Sequence, residues 1–298
     1  MRTARTDASL LPALDLESTV RAGHDVGLHA VAAGDPDDPL VVLLHGFPEF
    51  WYGWRNQIEP LVEAGFRVLV PDQRGYNLSE KPGRVWDYRI EALSRDVVEL
   101  IRGEDRESAH VVGHDWGGAV AWDLALRYPD AVDRLGICNV PHPSVFRRHL
   151  RSNWKQLRKS WYAFYFQLPW LPELGCRRGN YAALEKAMRG RAAPGSFTDR
   201  DLDRYREAWS KSGALTAMLN WYRAAVRHRT TPPREIVAQP TAVIWGEEDV
   251  ALEADMAPES LAYCEDGRLE RFPGASHWVP HDRAEAVTAL LVEHLSAE

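Results

Sequence analysis

Five short apolar runs constrain this chain more than any other feature: VVLLHG (41–46), RVLVPD (67–72), HVVGHD (110–115), RLGICNV (134–140) and TAVIWG (241–246). Each is rich in Val, Ile and Leu, each ends at a turn carrying Gly, Pro or Asp, and segments of helical period separate most of them. Strands this apolar need cover on both faces, so the pattern predicts an α/β fold with a doubly wound, mainly parallel sheet. Ligands of such sheets bind at the carboxyl ends of the strands. The residues that follow each run are therefore the ones to inspect.

Between 141 and 234 the rhythm stops. No strand-like run occurs there, Trp and Tyr are frequent, and Pro141, Pro143, Pro232 and Pro233 bracket the region. We expect residues 141–234 to form a helical cap, or lid, inserted over the carboxyl edge of a core built from 1–140 and 235–298. Leu150, Trp154, Leu157, Trp161 and Phe164 recur at spacings of four and three, the apolar face of one helix. Arg148, Arg151, Lys155 and Lys159 then form its opposite face, read as solvated in preference to a phosphate or partner site. Thr198 is placed to cap a second helix that Gly213 ends, and ALTAMLNWYRAAV (214–226) reads as a third. Residues 1–14 read as a loosely ordered lead-in; their short apolar run is broken by Pro12 and lacks the core of a secretory signal.

Composition removes several function classes. A net charge of −7 argues against general affinity for nucleic acid or anionic membrane, a local basic patch aside. No run is long enough to span a bilayer. Cys138, Cys176 and Cys264 are odd in number and in no metal-ligand spacing, which suits reduced thiols in the cytoplasm. Phosphate-loop and dinucleotide motifs are absent, so no cofactor is expected.

The chemistry gathers after the strands. VVGHDWGGAV (111–120) has the Gly-x-x-x-Gly frame of a strand-to-helix elbow, with Asp115 at the position a nucleophile would occupy. An aspartate there is also a good helix cap, so the elbow alone decides little. Farther along, IWGEEDVAL places Asp249 past a strand, and FPGASHWVPHD places His277 in a loop before the last helix. The order nucleophile, acid, histidine is that of elbow hydrolases. Glu247 and Glu248 are rival acids and His281 a rival base. HGFPEFWYGW (45–54) follows the first run, where a loop can offer the Phe47 N–H to an oxyanion, with a second N–H from Trp116.

Together HGFPEFWYGWR, PDQRGYNLSEKP, VVGHDWGGAV, GEED and GASHW resemble the epoxide hydrolases of the α/β-hydrolase fold, from about residue 24 to the C-terminus. SWYAFYFQLP (160–169) and LNWYRA (219–224) resemble the cap segments that supply that family's two tyrosines. The resemblance implies Asp115 as nucleophile, Asp249 as acid, His277 as base, Phe47 and Trp116 as oxyanion donors, and Tyr162 and Tyr222 as cap tyrosines. Tyr165 is the alternative to Tyr162. GHDWGG alone is shared with haloalkane dehalogenases.

Physical chemistry gives this set a use. A carboxylate can displace a leaving group at saturated carbon and so form an ester, which activated water then hydrolyses. An epoxide leaves as a strongly basic alkoxide and needs an acid. Tyrosine, protonated at neutral pH with an ordinary pKa of about 10, can supply it. The expected partners are a small apolar or aromatic epoxide and water. Trp51, Trp116, Trp221 and Trp278, with Trp54 and Trp161, are candidates to line the cavity. The competing readings are a haloalkane or haloacid dehalogenase with the same nucleophile, and a ligand-binding sensor that keeps the pocket.

Overall fold

A computed structural model describes residues 7–297. In chain order the elements are β1 (Glu17–Ala22), β2 (Gly27–Ala33), β3 (Leu40–Leu44), α1 (Arg55–Glu63), β4 (Arg67–Pro71), α2 (Ile90–Arg102), β5 (Ala109–His114), α3 (Trp116–Arg127) and β6 (Val132–Cys138). Helical segments follow without a strand: α4 (Pro143–Ser152), α5 (Trp154–Lys159), α6 (Trp161–Tyr165), α7 (Leu171–Arg189, broken where Arg178, Gly179, Asn180 and Tyr181 leave helical geometry), α8 (Asp199–Ser210) and α9 (Ala214–Arg227). The chain then completes the sheet with β7 (Thr241–Gly246), α10 (Met256–Leu261), β8 (Gly267–Phe272), α11 (Val279–Asp282) and α12 (Ala284–Leu295).

The eight strands form one sheet in the order β1-β2-β4-β3-β5-β6-β7-β8. β1, β2 and β4 pair antiparallel and all other neighbours parallel. This is the α/β-hydrolase fold, a mainly parallel sheet with helices on both sides. All five apolar runs are strands, and β3, β4 and β7 are buried at every position. Three further strands, β1, β2 and β8, carry no such run. β1 and β8 lie at the sheet edges and are largely exposed or half-buried, so their sequences never needed to be apolar.

Four local expectations need correction. The lead-in is not loose throughout: Asp7 is buried, accepts the Ser18 hydroxyl at 2.6 Å and the Trp51 indole N–H at 3.3 Å, and lies 3.1 Å from His29 Nε2. Residues 1–6 of that segment, and Glu298, lie outside the described residues. The single helix through Leu150 and Phe164 is three short ones. Asn153 ends α4 and caps α5 by accepting the N–H groups of Lys155 and Gln156, and Ser160 separates α5 from α6. The inward residue of α5 is polar: Gln156 donates to Ala251 O and accepts from Glu253 N, while Trp154, Trp161 and Phe164 face solvent. Nor is the opposite face uniformly solvated, because the Lys159 ammonium donates to Asp249 O at 3.0 Å and pairs with Glu253 at 3.1 Å. Thr198 does cap α8, in a reciprocal box with Asp201. α8, however, stops at Ser210, and Gly213 (φ 76) introduces α9 instead of ending its predecessor.

Candidate active site

Asp115 is the single residue between β5 and α3, and it makes the turn with φ 51 and ψ −119. That left-handed conformation costs an L residue on the order of 1–3 kcal/mol and persists only where the surroundings enforce it. Two glycines make enforcement possible. A Cβ on Gly117 would fall 2.1 Å from Leu44 O, and one on Gly46 2.5 Å from the Asp115 Cβ. The carboxylate is thereby pressed against the loop after β3. There the Phe47 N–H donates to Asp115 Oδ1 at 2.8 Å.

The loop after β7 places Asp249, and the segment after β8 places His277. Asp249 Oδ1 accepts the N–H groups of Ala251 (2.7 Å) and Leu252 (3.0 Å). Its Oδ2 receives Asn139 Nδ2 at 2.8 Å and His277 Nδ1 at 2.7 Å. His277 Nε2 then faces Asp115 Oδ2 at 3.5 Å. Asp115, Asp249 and His277, far apart in sequence, are thus brought into one line at the carboxyl ends of β5, β7 and β8, with β6 between the first two. The rivals lie elsewhere. Glu247 pairs with Arg271 and Glu248 is exposed, while His281 Nε2 rests on Glu49 at 2.9 Å.

Burial alone would push both aspartates up and His277 down. The charges outweigh it: His277 holds Asp115 and Asp249 below the ordinary carboxylate value, helped by the Phe47 N–H and by Asn139 respectively. In return the two carboxylates hold His277 well above the ordinary imidazole value. Each direction favours the charged form, an imidazolium between two carboxylates.

Across from this line stand the aromatics of the helical region. Tyr222 on α9 is almost fully buried, with its ring centroid 5.0 Å from Trp116, 5.2 Å from Phe47, 4.9 Å from Phe166 and 5.8 Å from Tyr162. Burial, and then the Asp115 charge, push both tyrosine hydroxyls up. Tyr165 points away: its hydroxyl donates to Leu171 O at 3.1 Å and its ring lies on Trp161. Trp116 and Trp221 stack edge to face at 5.7 Å, with the Trp221 indole N–H on Arg74 O. Trp278 packs on His277 and donates to Ala187 O. Trp51 and Trp54 are fully buried, and Trp51 is committed to Asp7. Trp161 is 63% exposed and packs on Tyr165.

Three polar residues were not assigned a role in the sequence. Asn139 follows β6, the strand beside β7, and its place at a strand's carboxyl end was the available signal. Glu49 and His114 stand in quoted motifs. Buried Glu49 accepts from Tyr205 (2.7 Å) and meets His281 and His114, whose Nε2 reaches His277 O at 2.8 Å. Burial would raise Glu49, yet these histidines hold it well below its ordinary value.

Residues 39–284 match the α/β hydrolase fold family. The chain is 48% identical over 270 residues to the AB hydrolase superfamily protein YfhM of Bacillus subtilis, covering 91% of this chain and 94% of that one. It is 39% identical to Epoxide hydrolase 1 of Caenorhabditis elegans, covering 91% of this chain and 68% of the relative. Among solved structures, a Bacillus megaterium epoxide hydrolase in complex with an inhibitor superposes with a TM-score of 0.85 at 31% identity, covering 94% of this chain and 100% of the other.

Proposed function

The chain belongs to the epoxide hydrolases of the α/β-hydrolase fold, and we propose that it opens an epoxide through a covalent ester on Asp115, beneath a cap formed by residues 141–234. Asp115 Oδ1 is held by the Phe47 N–H, which leaves Oδ2 for attack on an oxirane carbon. As that carbon–oxygen bond breaks, the developing alkoxide takes a proton from Tyr162 or Tyr222, whose raised hydroxyl pKa keeps the proton available until it is needed. Tyr165 is not assigned this role, because its hydroxyl is engaged by Leu171 O.

Ester formation removes the negative charge of Asp115, and with it part of what keeps His277 protonated. The imidazolium proton passes to the tyrosinate left by ring opening, directly or through water; His277, now neutral and still oriented by Asp249, accepts a proton from water, and the resulting hydroxide attacks the Asp115 carbonyl carbon. The tetrahedral oxyanion is held by the N–H groups of Phe47 and Trp116. Collapse breaks the ester bond, His277 returns its proton to the leaving oxygen, a vicinal diol departs, and the regenerated Asp115 carboxyl gives its proton to His277, which restores the starting state. Trp116, Trp221, Phe47 and Phe166 give the pocket an apolar, aromatic wall, which favours aryl or bulky alkyl epoxides. Trp278 supports His277 in this reading, and Trp51 belongs to the packing beneath.

The observation that carries the proposal is the line Asp249–His277–Asp115 ending opposite two tyrosine rings. Its test is trapping. Purified His277→Gln incubated with an aryl epoxide should accumulate protein heavier by one epoxide, with the added mass on the peptide containing Asp115, while wild type releases diol. Unimpaired turnover by Asp115→Ala would overturn it.

A further inference from the structure

The outer surface of the helical region combines two properties that rarely coincide on a water-facing surface. From Arg147 to Arg178 the chain carries eight basic residues against one acid, Glu173, although the whole protein is acidic at −7. Glu173 is itself neutralised by Arg223 at 2.8 Å. Arg151, Lys155, Arg158, Arg177 and Arg178 are exposed and have no ion pair among the described residues. In the same stretch Trp154, Trp161, Phe164, Trp170 and Leu174 are between 59% and 73% exposed. A soluble surface seldom leaves large apolar groups clustered in this way without a use for them.

Trp161 and Phe164 of α6 lie beside the start of α7, and Trp154, Lys155 and Arg158 stand on the short helix just before them. Tyr165 packs against Trp161 and donates to Leu171 O, and a Cβ on Gly175 would meet its hydroxyl at 2.7 Å. α6 is thereby fixed to the first turn of α7. The inner side of α6 holds Tyr162 against Tyr222; its outer side presents Trp161 and Phe164.

We infer that this face docks on an anionic lipid bilayer. Trp and Phe favour the headgroup boundary, where an amphipathic ring has both an apolar and a wet neighbour. Unpaired Lys and Arg beside them complement the negative surface potential of acidic phospholipids. A second copy of the chain fits less well, since a two-fold contact would set the same excess of positive charge against itself. Nucleic acid fits less well too, because a long polyanion would meet the acidic remainder of the molecule. Docking would hold the cap at the boundary where apolar molecules concentrate; only this consequence rests on the proposed reaction.

The test is sedimentation of the full-length protein with vesicles of phosphatidylcholine, alone or with phosphatidylglycerol at about one third. Binding is expected to the mixed vesicles at low salt, with a blue shift of Trp emission, and to be largely lost at high salt as screening shortens the reach of the charges. Each basic residue near such a surface contributes about fivefold to partitioning, so Lys155→Glu/Arg158→Glu should weaken binding by more than about tenfold. Trp154→Ser should reduce both binding and the blue shift. Circular dichroism and epoxide turnover in detergent-free buffer check that these variants are folded. The inference is overturned by absence of binding to mixed vesicles, by undiminished binding of the charge-reversed variant, by a concentration-dependent dimer that the same substitutions dissolve, or by an emission shift with single-stranded RNA but not with vesicles.

Discussion

Asn139 and Asp249 meet at the oxygen on which His277 also rests: Asn139 Nδ2 is 2.8 Å and His277 Nδ1 2.7 Å from Asp249 Oδ2. The same amide side chain accepts the Gly246 N–H at 2.8 Å, so it ties the end of β6 to the end of β7 and fixes the acid from the side. Asn139 has φ 45, a conformation glycine adopts freely. Asn139→Gly therefore removes the side chain without straining the turn. A hydrogen bond to a charged group contributes roughly 1.5–3 kcal/mol; partly expressed in the transition state, this predicts a fall in kcat of about tenfold with KM little changed. Unaltered kcat would mean that Ala251 and Leu252 hold Asp249 without help.

The charge arrangement makes a prediction about protons. His277 is held well above its usual range because burial, which opposes it, is outweighed by Asp249 and Asp115. Neutralising Asp115 must then lower the imidazole. Asp115→Asn imitates the charge of the ester, and NMR titration of His277 should give a lower midpoint in Asp115→Asn than in wild type. In turnover, the step that needs neutral His277 gives kcat an acid limb, with activity lost as pH falls through the pKa of the ester form. Equal midpoints in the two proteins would show that Asp249 alone sets the ionisation and that the base is not generated by the first step.

The two tyrosines separate from their neighbour by mutation. Tyr162→Phe and Tyr222→Phe each remove one donor to the epoxide oxygen, and general-acid contributions of about 10²–10⁴-fold set the scale for the double variant. Each single variant should lose less than the pair, because the remaining hydroxyl can still donate. Tyr165→Phe should turn over at nearly the wild-type rate, since its hydroxyl is spent on Leu171 O. Steady-state rates on one aryl epoxide decide this. A loss in Tyr165→Phe as large as in Tyr162→Phe would reassign the acid.

Why these residues differed in legibility has a physical basis. Strands buried on both faces write themselves as continuous apolar runs, so the centre of the sheet and the elbow after β5 were readable, as was the order of Asp115, Asp249 and His277. Edge strands β1 and β8 need no such run. The stripe of Trp154, Trp161 and Phe164 misled because periodicity reports a face, not the direction it faces; with Ser160 breaking the helix, Tyr162 turns inward while its apolar neighbours turn out. Asn139 carried only a weak signal, its place at a strand end. A strand-end asparagine looks like any turn residue until β6 is known to lie beside β7.

His29 sets the last prediction, and it concerns stability. The ring lies between Asp72 Oδ2 at 2.7 Å and Asp7 Oδ2 at 3.1 Å, with Asp72 also accepting the Trp51 N–H. Burial would lower its pKa, but Asp72 and Asp7 raise it to about 10. An imidazole in the unfolded chain titrates near about 6.5, so the folded state binds the proton more tightly. The stabilisation is fully present below about 6.5 and is lost as pH rises through about 10. At pH 6 His29→Gln should destabilise the protein by roughly 3 kcal/mol, the cost of leaving a buried carboxylate pair without its cation. Urea unfolding of both proteins across this range should show their difference shrinking as pH approaches 10. A difference that stays constant, or grows with pH, would mean that His29 is neutral in the fold and that Asp7 docks for reasons of packing alone.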